Sequence, residues 1–410
     1  MEQAEVIVIG GGAAGLMAAY QAAKRGKSVI LLEKNEKLGK KIYITGKGRC
    51  NFTNDCPPDD FLSEVVSNAK FLNGAIRSFP PAATMKFFEQ GGMNYKIERG
   101  NRAFPVSDHA SDVTKTFERY LQSVHVDVRL NETVMEINTM SDNGNSMFDI
   151  ITSERNYQCE KVIIATGGLS YPSTGSTGDG YSFAKKMGHS IVPCVPALVG
   201  LNTKDNFKPL QGLSLKNVTL SVFDQQKMIS SQFGEMLFTH FGISGPIVLT
   251  TSSLINRKNL SSLKFFLDLK PALSEEQLDA RLIREFEAEP NKTLSNVMVH
   301  LLPKNLIPFV IKQSGVDSQK QVNSVTKDER RGLISSLKSF IINVSSLCSV
   351  NEAIVTAGGV SVKEINPRTM ESKLCKNVFF CGEVLDLDAF TGGFNLQIAF
   401  ATGYAAGNAV

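Results

Sequence analysis

Hydrophobic positions in the first third of the chain fall into short unbroken runs separated by glycine-bearing turns, the pattern of strands buried in a parallel sheet. Val6 to Ile9 is one such run. Gly10 to Gly15 interrupts it, and a small-residue stretch holding Ala18, Ala19, Ala22 and Ala23 predicts a helix that Gly26 ends. A second apolar strand, Ser28 to Leu32, closes on Glu33. Ser111 or Asp112 is placed to cap a helix reaching about Ser123. The runs VHVDVRLNETVMEI and MFDIITS flank the hairpin signal SDNGNS, predicting a small antiparallel addition to the sheet. Lys161 to Gly168 is again a buried strand ending in glycines, followed by a polar turn and a short helix ending near Gly188.

Beyond Pro193 and Pro196 the pattern changes. LSLKNVTLSVF, KMISSQF, PIVLTTSS and LKFFLDLK read as strands joined by turns with no long helix, as in a β-barrel or sandwich. From Ser274 the periodicity is helical, and Ser274 with Gln277 and Thr326 with Glu329 have capping-box spacing. Near Val350 the buried-strand pattern returns in EAIVTAGGVSV and NVFFCGEV, and a glycine turn opens into a final small-residue helix. The expected class is α/β: a Rossmann-like domain over residues 1–192 and 350–410, interrupted by a β-barrel over 193–272 and a helical domain over 273–349.

Composition narrows this only slightly. The 410 residues, 42% hydrophobic and 20% charged, suit a globular protein with a large core. The acidic start MEQAE and the brief apolar run behind it predict neither a secretory signal nor a membrane span, hence a cytoplasmic protein. Seven cysteines without C-x-x-C spacing and five histidines without an H-x-x-x-H pair argue against a disulfide framework or a metal site. Charge is uneven. Residues 204–345 hold 18 Lys and Arg against 13 Asp and Glu, and they supply the whole positive balance of a chain whose net charge is +4.

The first turn carries readable chemistry. Gly10, Gly12 and Gly15 have the G-x-G-x-x-G spacing, in which successive glycines allow a tight turn, bare backbone beside a pyrophosphate, and close helix packing. The helix start at Ala13 and Ala14 offers N–H groups to phosphate, and Glu33 is placed to accept from a ribose hydroxyl. The basic loop that follows, from Lys34 through Gly48 and Arg49 to Asn54, also suits phosphate or flavin-facing backbone. Only one such glycine motif occurs, so a resident nicotinamide would leave the final strand and helix without a role, whereas FAD gives them one. Gly382 and Glu383 at a strand tip then hold the ribityl chain. Gly392, Gly393, Phe394 and Asn395 offer helix-start N–H groups to the flavin N1 and O2 edge.

GKGRCNFTN (46–54), ATGGLSYPSTGSTGDGY (165–181), GEMLFTHFGISGP (234–246), TMESKL (369–374) and GEVLDLDAFTGGFNLQIAFATG (382–403) resemble the signatures of one flavoprotein family. It includes aminoacetone oxidase, BaiN-type bile-acid enone reductases and RdsA-type ribosomal dihydrouridine synthases. The resemblance spans essentially the whole chain and implies a glutathione-reductase-type FAD domain with an inserted β-barrel and a helical domain. It implies FAD contacts at Gly10, Gly12, Gly15 and Glu33, at Lys41, Arg49 and Asn51 of the basic loop, at Glu383, and at Val134 through its backbone beside the adenine; Cys50, between Arg49 and Asn51, is counted with the cofactor-binding residues. It adds Thr166 and Gly167, flanked by the cofactor-binding candidates Ala165 and Gly168 at the end of the Lys161 to Gly168 run, and Leu396 beside Asn395. Two features depart from the broader glutathione-reductase pattern: there is no second Rossmann unit for NAD(P)H, and the strand tip carries Glu383 rather than Asp.

For catalysis, Cys50 and Cys56 are spaced C-x5-C, which argues against a flavin-linked redox pair. His240 is the candidate proton donor, weighed against a structural histidine holding the turn before Gly242; Tyr171 and Ser244 are weaker alternatives. Residues 291–340 hold eight Lys and Arg against three acids, which reads as a solvated face or as a contact for ribosomal RNA. No aromatic-rich recognition motif accompanies that charge. The expected activity is NAD(P)H-fed reduction of a C=C bond conjugated to a carbonyl, in a small molecule or a nucleobase such as uridine of 23S ribosomal RNA. Rival readings are a flavin oxidase forming peroxide from an amine such as aminoacetone, and a non-catalytic flavin-dependent sensor of RNA or protein.

Overall fold

The computed structural model of the protein describes residues 2–142 and 145–410. The chain forms two compact units, residues 1–197 with 350–410, and residues 198–349. No helix among the described residues is long and apolar enough to cross a membrane.

The first unit is built on a seven-stranded sheet. Glu2–Ile9 lies between Val29–Leu32 and Asn156–Ile164, parallel to both. Asp127–Arg129 pairs parallel to Val29–Leu32, and Val378–Phe380 parallel to the end of Asn156–Ile164. The antiparallel addition comprises Val134–Asp142 and Asn145–Thr152, and their pairing continues onto Asn156–Ile164. Asp127–Arg129, expected in that addition, instead extends the parallel sheet. Residues 143–144 of the expected hairpin signal lie outside the described residues. Val6, Ile7, Val8 and Val162, Ile163, Ile164 are completely buried, as an unbroken apolar run requires in a sheet covered on both faces.

The register levels the strand ends. Ile9 stands opposite both Leu32 and Ile164, Ile164 opposite Phe380, and Leu32 opposite Arg129. One more rung continues the row: Gly10 N–H donates to Leu32 O (2.8 Å), Ala165 N–H to Ile9 O (2.9 Å), Cys381 N–H to Ile164 O (3.1 Å) and Glu33 N–H to Arg129 O (2.8 Å).

A helix near the start of the chain packs on this sheet, and the last helix of the chain packs on that helix. Ala13–Lys24 is nearly all buried, and Gly26 follows it at φ +86°. The final helix, Phe394–Ala409, meets it backbone to backbone, since a Cβ at Gly403 would stand 2.3 Å from Ala14 O and one at Gly407 2.4 Å from Ala18 O. The helix Ser111–Ser123 forms as expected, but neither Ser111 nor Asp112 caps it. Ala110 is the cap position, and the Asp112 carboxylate accepts from Ser107 Oγ instead (2.6 Å).

In the second unit a seven-stranded sheet and several helices share one hydrophobic core, in which Leu220, Phe265 and Phe340 of the sheet join Leu278, Leu282 and Leu333 of the helices. Both capping boxes form, at Ser274 with Gln277 and Thr326 with Glu329. PIVLTTSS, expected as a strand, is the helix Pro246–Ile255. Proline at the first helical position suits a helix start. The Ser252 and Ser253 hydroxyls accept from Val199 N–H (2.9 Å) and Leu198 N–H (3.0 Å), a tertiary use that β-propensity does not anticipate.

Because Gly407 lies where no side chain fits, Gly407→Val should destabilise the protein by about 1–3 kcal/mol through overpacking. Thermal melting by circular dichroism checks this; the neighbouring Asn408→Ala should stay within about 0.5 kcal/mol.

Candidate functional site

The residues singled out in the first unit gather along the level row of strand ends. Gly10 adopts φ +105°, and a Cβ there would lie 2.6 Å from Ala165 O. A Cβ on Gly15 would fall 1.9 Å from Gly10 O, so the helix seats directly on the turn. Gly12 differs: nothing lies within 4 Å of its Cβ position, and it begins the helix without a side-chain cap. The turn therefore presents bare backbone with the positive end of a twelve-residue helix behind it.

Glu33 is buried, and its carboxylate faces this turn. Oε2 accepts from Gly11 N–H (2.7 Å), while Oε1 accepts from Asn35 N–H (2.8 Å) and Asn35 Nδ2 (2.6 Å). Glu132 N–H donates to Glu33 O (3.0 Å), which sets the segment leading into Val134 alongside Glu33. Buried Glu132 is itself fixed by Tyr157 Oη (2.7 Å) and Thr152 Oγ1 (2.8 Å). Lys34 reaches across to Thr177 Oγ1 (2.5 Å) and Asp179 (2.6 Å).

Farther along the row, Lys41 Nζ donates to Glu383 Oε2 and to Ser170 Oγ, each at 2.6 Å. Ser170 Oγ also donates to Glu383 Oε1 (2.9 Å), which accepts from Thr356 N–H (2.9 Å). Thr356 Oγ1 in turn accepts from Leu169 N–H (2.8 Å) and Ser170 N–H (3.0 Å). Burial by itself would raise the Glu383 carboxyl, but the charge and hydrogen bond of Lys41, with the Thr356 N–H and Ser170 hydroxyl, hold it below its ordinary value. Gly168 has to be glycine here, because a Cβ would stand 2.5 Å from Thr356 Oγ1 and 2.9 Å from Glu383 Oε1.

The basic loop meets the C-terminal turn. Gly46, Lys47, Gly48 and Cys50 all have positive φ, which folds the loop tightly. Asn54 Nδ2 donates to Gly100 O and Gly392 O, both 3.0 Å away. Gly393, at φ +96°, lies so close to Thr53 that a Cβ would be 2.4 Å from its carbonyl oxygen. Asn395 ties down the chain before it, bonding Ala389 N–H (3.0 Å) and Ala389 O (2.8 Å). Phe394 packs edge-on against Phe61, and Leu396 is half-buried against the core. Gly382 sits against Ala14 and is held by Thr402 Oγ1 (2.9 Å).

Arg49, expected among the cofactor contacts, also has partners of its own within the first unit. Its guanidinium stacks over Phe104 (4.3 Å) and is shared by Glu98 and Asp108, which raise its pKa. Cys50 is fully buried and its thiol is pushed far up by burial; Cys56 is pushed up to about 11 by burial with Asp60 and Glu64 nearby. Neither is poised to form a thiolate near neutral pH.

Two buried oxygens among these residues, Asn51 Oδ1 and Thr166 Oγ1, have no hydrogen-bond partner among the described residues. Unpaired buried acceptors are costly in a finished site. Together with the open backbone at Gly12, they fit a long polar group lying along the row, as the expected dinucleotide does. Sequence reasoning had not picked out Ser170, Thr356 or Asn35. Ser170 stands inside the ATGGLSYPS motif, and Thr356 is a lone hydroxyl in an apolar strand, which is the one signal that pointed to it.

His240 belongs to the second unit. It is exposed in the turn 239–242, and its ring packs edge-on to Phe241 without a hydrogen bond among the described residues. Thr239, not His240, holds this turn: its N–H donates to Gly242 O (2.9 Å) and its Oγ1 accepts from Gly242 N–H (3.1 Å). Of the eight cations in 291–340, five are in ion pairs: Lys292, Lys320, Arg330, Arg331 and Lys338. Three of the acidic partners, Glu289, Asp279 and Asp268, lie outside the stretch, so much of its charge is neutralised by neighbouring segments.

A family described as HI0933-like protein Rossmann domain matches residues 4–409. The chain is similar to the 3-dehydro-bile acid delta(4,6)-reductase of Clostridium scindens, 32% identical over 408 residues and 98% of each chain. It is also similar to the ribosomal RNA dihydrouridine synthase of Haemophilus influenzae, 30% identical over 405 residues and 98% of each chain. The Escherichia coli protein of the same name is 29% identical over 407 residues, 99% of this chain and 97% of that one. Among solved structures, 3-ketosteroid-delta4-(5alpha)-dehydrogenase from Rhodococcus jostii shares the fold with a TM-score of 0.54 at 14% identity, covering 100% of this chain and 96% of that one.

Removing the partner of Glu383 should expose its burial. Lys41→Met is expected to lose about 1–3 kcal/mol of stability near pH 7, the penalty for an uncompensated buried group. Glu383 is held below its ordinary 4.5, so its contribution is present above that pH and disappears as the pH falls through its folded value. The gap between variant and wild type, read by urea denaturation, should therefore narrow as the pH falls below 4.5.

Proposed function

The chain belongs to the HI0933-like family of Rossmann-like flavoprotein oxidoreductases, and from that premise we propose an FAD-dependent reductase, fed by NAD(P)H, that saturates a C=C bond conjugated to a carbonyl. We assign uridine of large-subunit ribosomal RNA as its substrate. The observation that carries the cofactor reading is the bare backbone at Gly12 on the level row of strand ends, in a chain with a single G-x-G-x-x-G. The substrate reading is supported by full-length relatives named for ribosomal RNA dihydrouridine synthesis and for a bile-acid delta(4,6)-reductase. Both names describe adding two hydrogens across an activated C=C bond, which is the chemistry the two have in common.

FAD, when bound, supplies a carrier of hydride between donor and acceptor. The chain's own residues do the rest. First-turn N–H groups behind Gly12 receive the pyrophosphate, and Glu33 accepts from the ribose, already oriented by Gly11 and Asn35. Lys41 and Glu383 bind the ribityl region, their positions fixed by Ser170 and Thr356. The unpaired oxygens of Asn51 and Thr166 would serve as further polar contacts for the cofactor, and the start of Phe394–Ala409 would offer its N–H groups to the electron-accepting edge of the flavin.

Saturation of the double bond consumes one hydride and one proton. We assign the proton to His240, whose ring has no competing hydrogen bond among the described residues.

His240→Gln should lower turnover about 100-fold or more while leaving bound FAD unchanged by absorbance; full activity removes His240 from the mechanism. For the substrate, mass spectrometry of ribosomal RNA from a deletion strain should show loss of dihydrouridine, and undiminished dihydrouridine rejects the RNA reading.

A further inference from the structure

In the second unit, one face of the large sheet builds the core and the other is open. Strands Ser214–Asp224, Lys227–Phe238, Leu263–Asp268 and Phe340–Ile342 lie side by side, and Leu220, Val222, Phe265 and Leu267 point inward. The opposite face gathers Phe223, Phe266, Phe233, Met228 and Ile341 from all four strands. Cross-strand pairing fixes this grouping: Phe266 stands opposite Ile341 and Ser221, Phe223 opposite Met228 and Lys264, and Phe233 opposite Thr219. Phe233 is 65% exposed, Met228 55% and Ile341 46%. Phe223 and Phe266 are half-buried, edge-on to each other at 5.8 Å. Between the rings runs a hydroxyl floor, where Ser221 and Ser231 share a hydrogen bond at 3.2 Å and Thr219 continues the row.

We propose that this face docks a single-stranded RNA segment by base stacking, a step that rests on the ribosomal RNA reading above. Strand spacing sets Phe233 and Phe266 roughly 12 Å apart across the hydroxyl floor, leaving room for bases to lie on the rings. Sheets with aromatics on an open face bind unstacked bases in this way, and hydroxyls between the rings suit base edges and 2′-OH groups. Charge favours the same occupant. Lys216 and Lys264 on this side have no ion pair among the described residues, and Asp268 is neutralised by Lys338 at 2.6 Å, which leaves Glu235 at the margin as the opposing charge. A second copy of the chain packed through this face would instead bring two surfaces of the same net positive charge together.

The test uses the full-length, FAD-loaded protein and a 5′-fluorescein-labelled 20-mer of uridines, followed by anisotropy across a salt series. Phe233→Ala should weaken binding about tenfold, Phe233→Tyr should keep it, and Lys264→Gln should flatten the salt slope by about 0.7. Flavin absorbance and melting should not change, because Phe233 is outside the core. Three results overturn the proposal: no binding by wild type, Phe233→Ala binding within twofold of wild type, or a dimer seen by sedimentation that Phe233→Ala dissolves without affecting RNA. The substrate reading fails separately. If deletion leaves dihydrouridine intact, that reading is lost whatever the oligomer does; if Phe233→Ala restores dihydrouridine to a deletion strain as fully as wild type, only the docking face is lost.

Discussion

Parallel strands drawn from residues 2–9, 29–32, 156–164 and 378–380 stop on one level, and the candidate site depends on that register. Because Ile9, Leu32, Ile164 and Phe380 are aligned, the next residues, Gly10, Glu33, Ala165 and Cys381, form a single row. A shift of one residue in any strand would turn its buried side chains outward and move its loop along the row. The fully buried faces of Val6–Val8 and Val162–Ile164 resist such a shift. Core packing thereby fixes the positions of groups that never enter the core.

The same register explains why the two ends of the chain need each other. Gly382 can approach Ala14 only because Val378–Phe380 ends beside Ile164, and the final helix then lies against Ala13–Lys24 through Gly403 and Gly407. Its start is delivered to Thr53 and Asn54, so the basic loop and the last glycine turn become neighbours although more than 330 residues separate them. Residues 198–349 leave and return between 197 and 350 without interrupting this arrangement.

Much of the first unit was legible because its candidate site is built largely on backbone. Glycines at 10, 12 and 15, unbroken apolar strands and an acid after the second strand are imposed by close approach and burial, and those requirements leave marks on sequence. Both capping boxes were legible for the same reason, being local hydrogen bonds at fixed spacing. Tertiary partners were not legible. Nothing near Ser170 announces Thr356, 186 residues away, and nothing in PIVLTTSS reveals that Ser252 and Ser253 serve the backbone at 198 and 199. The basic stretch 291–340 misled in the opposite direction, since partners such as Asp279 for Arg330 and Asp268 for Lys338 lie outside it. The aromatic face was invisible because its rings come one strand at a time.

The two units therefore constrain sequence in different ways. In the first, the glycine and helix contacts have clearances of 1.9–2.6 Å to backbone at Gly10, Gly15, Gly403 and Gly407, where almost any side chain collides. In the open sheet face of the second, side chains project into solvent, and exchanging one alters neither register nor core. A cofactor site built on the first kind of constraint can persist while a surface of the second kind changes its clientele.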